Sequence, residues 1–482
     1  MAYLTPFDGA LRAAPYNALF DHVEPFAPPF GAITAPHHRL TDAGPALPDT
    51  DAPRVQDVEF LGMTNFDSGM QFEGTTVGGL SGLTYLPASD SYLAISDDRS
   101  ELNEARFYAL RVDLGDGHLD DGDVRFTDVT TLRQNGGAPF AEGTIDPEAI
   151  DVSDDGTLYI SSEGDARQGL APSVGHYGRD GQQIGALELP QALMPDGEET
   201  AGIRNNLALE SVTLTPDHTR LFTATENALV QDGPAASANT GSPARLLEFE
   251  LGEDGAQHAY VYPTEPIPER PASDDGFSTN GLVELLALDD DHLLALERGF
   301  AEGVGNTIRL YEIDTERATD IQGLDALPEA GTAVRPVDKT LVADLGAFGF
   351  EPDNVEGMAF GPMLEDGRQS LILVSDDNFS DTQSTQFIAL GLDVAPEAPT
   401  IPSMPTFDLS AFDAAIGRTL DLAGDALAPL FATAFGAEST AVFDGIEASA
   451  STLSGAFDFS AAGLEPLGLA PAGAEAFDLW GM

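Results

Sequence analysis

The sequence predicts an all-β fold. It reads as a β-propeller of five or six four-stranded blades over residues 56–394, with an extended N-terminal arm over 1–55 and a partly helical C-terminal tail over 395–482. Three observations predict it. A two-strand hairpin recurs five times at a spacing of roughly 62 to 75 residues, further strand-like runs follow most copies, and one run near residue 60 has no hairpin of its own.

The hairpins come first. Copy one covers residues 80–87 and 92–99. Copy two covers 147–152 and 158–163, joined by Ser153-Asp154-Asp155-Gly156. Copy three covers 209–214 and 221–227, joined by Pro216-Asp217-His218. Copy four covers 281–286 and 293–298, joined by Asp289-Asp290-Asp291. Copy five covers 354–360 and 371–378, with a longer turn through Glu365-Asp366-Gly367. Short apolar runs on either side of an Asp-rich turn are the pattern of an antiparallel hairpin.

Outer strands come next. Residues 107–112 with 124–132, 246–251 with 258–262, and 308–313 with 340–345 add two strand-like runs behind a hairpin, which makes four per unit. The run Val58-Glu59-Phe60-Leu61-Gly62-Met63 precedes the first hairpin. It is expected to supply the outer strand of the last blade and close the ring.

The ends differ in composition. Residues 1–55 are rich in Pro, Ala and Asp with little periodicity, as in an extended arm. In the tail, Leu409, Phe412, Ile416, Leu420, Ala423, Leu427, Phe431 and Phe435 recur at helical spacing, and Pro429 is expected to kink or split that helix. Phe-Asp pairs recur at Phe407, Phe412, Phe443, Phe457 and Phe477, and Arg418 is the tail's only basic residue.

The chain has 482 residues, with 21 Lys+Arg against 81 Asp+Glu, a formal charge of −60. That charge excludes nucleic acid as the main partner and disfavours anionic membranes. Lys339 is the single lysine, and there is no Cys, which removes disulfides, thiolate zinc, iron–sulfur clusters and thiol catalysis. A surface this acidic suits salty or Ca²⁺-rich surroundings. No basic segment followed by an apolar one opens the chain, and no apolar run is long enough for a membrane span. The acidic-hydrophobic tail of a Cys-free chain resembles the uncleaved C-terminal signals of type I secretion, although the glycine-rich calcium repeats common there are absent. That resemblance implies an extracellular protein. A cytoplasmic protein of a halophile is the alternative.

Strand geometry locates the acids. In each hairpin the residue opening the first strand and the residue closing the second share one rim. These are Glu148 with Glu163, Glu210 with Glu226, Glu284 with Glu297, and Glu356 with Asp376 and Asp377. In copy one Ser81 opens, and Asp97 and Asp98 close. Innermost strands line a propeller's channel, so a ring of carboxylates is expected at one mouth. Like charges that close demand a cation or a raised pKa. Oxygen ligands without Cys or repeated His favour Ca²⁺, with Mg²⁺ as the alternative. Arg99, Arg204 and Arg298 stand beside these acids, suited to pairing with them or holding a substrate anion. Other motifs fail. No His-Glu-x-x-His occurs, Gly79-Leu80-Ser81-Gly82 lacks nucleophile-elbow spacing, no phosphate-binding loop surrounds Lys339, and the Asp/Gly-rich stretch 113–123 does not fit an EF-hand.

Pro147-Glu148-Ala149-Ile150, Tyr159-Ile160-Ser161-Ser162-Glu163, Leu296-Glu297-Arg298, Val355-Glu356-Gly357-Met358 and Val374-Ser375-Asp376-Asp377-Asn378-Phe379 resemble the phytase-like domain family, described by an esterase-like activity. The resemblance covers about residues 75 to 392. It implies an exported propeller acting on a phosphoester or other ester. By analogy with Ca²⁺-lined propeller phytases, the expectation is metal-assisted hydrolysis. Glu148, Glu163, Glu210, Glu226, Glu297, Glu356 and Asp376 are the expected ligands. Glu148, Arg99 and Arg298 are the expected catalytic groups, with the arginines holding the anion and an unligated carboxylate as base. The alternative is a non-catalytic adhesion or assembly protein whose partner is another copy.

Overall fold

Most strands of the repeat are apolar on both faces, because each sheet is sandwiched between two neighbours. The computed structural model describes residues 54–253, 255–328 and 334–395. The arm before residue 54 and the tail after residue 395 lie outside the described residues. Among the described residues the first elements are β1 (Val55–Asp67) and a small hairpin, β2 (Gln71–Phe72) and β3 (Thr75–Thr76). Blade 1 is β4 (Leu80–Leu86), β5 (Ser91–Ser96), β6 (Arg106–Val112) and β7 (Val124–Thr131). Blade 2 is β8 (Pro147–Val152), β9 (Leu158–Ser162), β10 (Ser173–Tyr177) and β11 (Gln183–Ala186). Blade 3 is β12 (Thr213–Leu214), β13 (Arg220–Ala224), β14 (Pro243–Glu250) and β15 (His258–Pro263). Blade 4 is β16 (Ser278–Ala287), β17 (His292–Ala301), β18 (Gly305–Asp314) and β19 (Asp338–Asp344). Blade 5 is β20 (Asn354–Met363), β21 (Gln369–Asp376) and β22 (Ser384–Val394), completed by β1.

The ring therefore has five blades among the described residues, closed where the sequence indicated. β1 pairs antiparallel with β22, with Val58 opposite Leu392 and Phe60 opposite Leu390. Glu312 of blade 4 holds the start of β1, accepting from the Arg54 and Val55 amides at 2.7 and 2.9 Å. Every residue of β5 is buried. Between blades 4 and 5 a core forms from Val283, Leu294 and Leu296 with Val355, Met358 and Leu371. No helix among the described residues is long and apolar enough to cross a membrane.

The turns explain part of the Asp content. Asp155 Oδ1 accepts from the Ser153 hydroxyl at 2.6 Å and the Thr157 amide at 2.9 Å. Gly156 follows at φ +82°, a conformation that a side chain would strain.

A bulge interrupts the inner strand of each blade, and it decides which side chains reach the channel. Pairing skips between Leu80 and Gly82, Pro147 and Ile150, Leu282 and Glu284, and Val355 and Gly357. In blade 3, Leu209 bridges Thr225, and regular pairing resumes at Thr213 opposite Phe222, so Glu210 takes the corresponding place. The bulge positions are thus Ser81, Glu148, Glu210, Val283 and Glu356. The next residues, Gly82, Ala149, Ser211, Glu284 and Gly357, form the waist of the channel. A Cβ on Gly82 would lie 2.8 Å from Ala149 Cα, and one on Gly357 would lie 2.9 Å from Gly82 Cα. Four small residues let the strands close in, and Glu284 supplies the one long side chain. Its carboxyl accepts from the Leu285 amide at 2.9 Å and also from the Val212 and Met358 amides of blades 3 and 5.

Candidate functional site

The residue that follows each second strand's bulge-paired position lies at one mouth of the channel. These residues are Asp97, Glu163, Glu226, Arg298 and Asp376. The register makes them equivalent. The amides of Asp97, Glu163 and Glu226 bond the carbonyls of Gly79, Asp146 and Ala208 at 2.8, 3.0 and 2.7 Å. Arg298 and Asp376 pair with Gly281 and Asn354. The bulge residues Glu148, Glu210 and Glu356 face the same opening, and Asp146 joins them. Mutual electrostatic influence links these eight carboxyls into one group. Among the described residues two guanidiniums stand against them, Arg99 and Arg298. The opening is a cavity of about 1070 Å³.

The densest part is the triad Asp146, Glu148 and Glu163. One oxygen from each lies within 4.8 Å of the others. They are 2%, 7% and 2% exposed. Burial, reinforced by Glu163, pushes the Asp146 carboxyl up to about 7. Burial and then Glu210 hold the Glu148 carboxyl well above the usual range. Glu163 is also raised by burial, although it accepts the Ala208 amide at 2.5 Å. Arg99 Nη2 approaches Asp146 Oδ2 at 2.7 Å as an ion pair. It is out of line for a hydrogen bond, so neither Asp146 oxygen has one of good geometry. This donor set is all oxygen, and burial keeps protons on it that a bound cation would displace. It suits a hard divalent cation, whose charge would relieve both the burial cost and the repulsion.

Across the mouth, Arg298 lies between Glu226 and Glu356, at 3.6 and 3.2 Å. Burial disfavours its charge, but Glu356 and Glu226 outweigh that and raise its pKa. Burial drives Glu226 up to about 8 against the pull of Arg298. Asn354 bridges Glu356 and Asp376 through its amide nitrogen at 3.0 and 3.2 Å. Asp97 Oδ1 receives no hydrogen bond.

The structure therefore brings together Glu148, Glu163, Glu210, Glu226, Glu356, Asp376, Arg99 and Arg298. It does not bring Glu297 to them. That carboxylate is used within blades 3 and 4, accepting from Tyr262 Oη at 2.9 Å, the Glu265 amide at 3.0 Å and Asn280 Nδ2 at 2.9 Å, and pairing with Lys339. The expectation that Glu297 is a cation ligand is corrected accordingly, and so is the placement of Glu284 on the rim. The reason is a one-residue difference in register. In blade 4 the bulge falls on Val283, so Glu284 drops to the waist and Arg298 takes the rim position. Arg204 turns away, donating to the carbonyls of Ala228 and Gly233. Asp98 pairs with Arg106 at 2.7 Å and caps the Glu101 and Asn103 amides. Asp377 accepts from the Gly79 and Phe379 amides. Asp146 was absent from the expected set. Its signal is its position two residues before Glu148, which in an extended chain puts both side chains on one face.

Five four-stranded sheets around a constricted channel with a carboxylate-lined mouth define an acidic β-propeller. The family model described as "Phytase-like: Esterase-like activity of phytase" matches residues 75–379, and the chain belongs to that family. No curated protein matches it. Among solved structures, the propeller of Dos1 aligns over 66% of this chain and 69% of that chain at 6% identity, with a TM-score of 0.30. A luciferin-regenerating enzyme aligns over 66% and 95% at 11% identity, with a TM-score of 0.31. The catalytic domain of the Coprinopsis cinerea GH62 alpha-L-arabinofuranosidase aligns over 71% and 98% at 8% identity, with a TM-score of 0.36. Likenesses this low carry no argument about activity.

Proposed function

We propose that the acidic mouth is a Ca²⁺ site, able to take Mg²⁺, at which a small anionic ester is hydrolysed. The observation that carries this reading is the buried triad of Asp146, Glu148 and Glu163, whose oxygens converge while Asp146 lacks any well-formed hydrogen bond. Family membership supports the hydrolytic class. A divalent cation, when bound, polarises an ester oxygen and lowers the pKa of water. The chain's own groups do the rest. Asp146, Glu148 and Glu163 hold the ion. Arg99 is a third exposed and lines the cavity beside the triad, so its guanidinium is placed to take an oxygen of the substrate anion. Asp97 lies at the same mouth on blade 1 with a free oxygen; burial raises its pKa, and it would accept the proton of the attacking water once a bound cation drew that value down. Arg298 is enclosed by Glu226 and Glu356, and its role is to hold them in place.

The test is hydrolysis of a chromogenic phosphomonoester, phosphodiester and short acyl ester, each with Ca²⁺ and with chelator. Turnover of at least one substrate is expected, abolished by chelator and lowered about a hundredfold or more by Glu148→Gln. Turnover indifferent to chelator, or absent with all three esters, would overturn the reading.

A further inference from the structure

We infer that the segment beginning at residue 396 docks, within its own molecule, over the second mouth of the channel. This goes beyond the hydrolytic reading and does not rest on it. The second mouth is a cavity of about 970 Å³ on the turn side of the ring, and all five blades contribute to it. Tyr85, Leu286, Phe360 and Met363 give it an apolar lining, with Met363 as much as 61% exposed. The Glu284 waist separates it from the acidic mouth.

Two features select the occupant. The first is where the chain leaves. Arg54 and Ala395 both line this mouth, and the Ala395 amide donates to the Arg54 carbonyl at 2.7 Å. The 87 residues after Ala395 therefore start from its edge. Phe407 is twelve residues on, within an extended reach of about 40 Å. Tethering at this range gives an effective concentration on the order of millimolar.

The second feature is charge. The segment carries twelve carboxylates, one basic residue and five Phe-Asp pairs. The acidic mouth repels it. The second mouth carries Arg54, Arg179 and His218; Arg54 pairs with Asp289 and His218 with Asp154, its lining acids are likewise spent, and the opening is close to balanced in charge where the other mouth is strongly negative. Asp151 accepts from Thr84 Oγ1 and the Leu214 amide at 2.7 Å each, and Asp154 pairs with His218 at 3.2 Å. Phe407, Leu409 and Phe412 would cover the apolar lining, with Asp408 and Asp413 towards Arg179. Apolar contact then supplies the affinity, and charge chooses between the two openings.

The chain has no cysteine, so single-cysteine labelling reads this directly. Full-length Met363→Cys and Ser89→Cys proteins would be reacted with a bulky maleimide, with Leu102→Cys at the acidic mouth as control. Each would be compared with a chain ending at Ala395 and with a full-length chain carrying Phe407→Ser and Phe412→Ser. Labelling at the second mouth is expected to be about tenfold slower in the unaltered segment's presence, independent of protein concentration, with the control unchanged. The double substitution gives the readout even if the shortened chain fails to fold. Equal rates in intact and altered chains would overturn the inference. Protection that grows with concentration would also overturn it, because a second copy would then be the occupant.

Discussion

The two mouths are built from the same five inner strands, yet their carboxyls meet opposite fates. At the turn side, Asp155 and Asp217 are exposed and spent on local hydrogen bonds, while Asp151 and Asp291, which burial raises, are the exceptions. Asp155 is drawn down to about 2, first by the Ser153 hydroxyl and then by Thr157, and Asp217 is lowered by the Thr219 amide. At the rim side, acids are buried together and pushed up, Asp146 to about 7 and Glu226 to about 8. The difference teaches that position in the hairpin, not residue type, decides whether an acid shapes the backbone or stores electrostatic cost. Turn acids find amide donors within a few residues. Rim acids converge from separate blades and find mainly one another.

The comparison can be broken most forcefully at Arg298. Arg298→Met leaves Glu226 and Glu356 buried without a counter-charge, and a loss of about 3 to 5 kcal/mol of stability in urea denaturation is expected. Added Ca²⁺ should recover part of it. A loss under about 1 kcal/mol would mean that the rim acids carry no such cost.

Glu284 tests the boundary between the mouths. Glu284→Ala removes the acceptor of three backbone amides and opens a void at the waist, with an expected cost of about 2 to 4 kcal/mol. Glu284→Gln keeps an acceptor and should cost about half as much. A Cβ at Gly82 would press on Ala149 Cα and the Glu148 carbonyl at 2.8 Å, so Gly82→Ala is expected to cost about 1 to 3 kcal/mol and to weaken cation binding by displacing Glu148.

The pH dependence sharpens the contrast. A carboxyl with a raised folded-state pKa keeps its proton in the folded chain at a pH where the unfolded chain has released it. Stability from such a group is present below the unfolded value near 4 and is lost as pH rises through the folded value. With Asp146 at about 7 and Glu226 at about 8, the chelated protein should melt progressively lower from about pH 5 to pH 8. Ca²⁺ should flatten that slope, because it binds the deprotonated ligands. The smallest effect is expected on the turn side. Met363→Ser removes an exposed side chain at the end of β20 and should change stability by less than about 0.5 kcal/mol.

Much of the fold was legible because the repeat is carried by local patterning. The five hairpins, the outer strands of blades 1, 3 and 4, and the closing role of the run at 58–63 all follow from short apolar runs and Asp-rich turns. The outer strands of blade 2, Ser173–Tyr177 and Gln183–Ala186, were not, since Gly, His and Gln dilute their apolar signal. The rim rule identified most acids that converge. It failed at blade 4, where Val283 rather than Glu284 takes the bulge. A one-residue shift reverses the facing of every side chain beyond it, and no composition pattern marks where a bulge falls. Asp146 escaped because it stands just before β8, outside the rule that took only the residues opening and closing each hairpin. Asp98 and Asp377 share the rim's sequence neighbourhood, but alternation turns them to backbone amides.

The most direct measurement is Ca²⁺ binding by titration calorimetry, paired with anomalous scattering from a Ca²⁺-loaded crystal. One ion bound by Asp146, Glu148 and Glu163 is expected, with affinity falling at least about tenfold in Asp146→Asn and in Glu148→Gln. An ion held elsewhere, or binding that neither substitution changes, would contradict the assignment of the acidic mouth as a cation site.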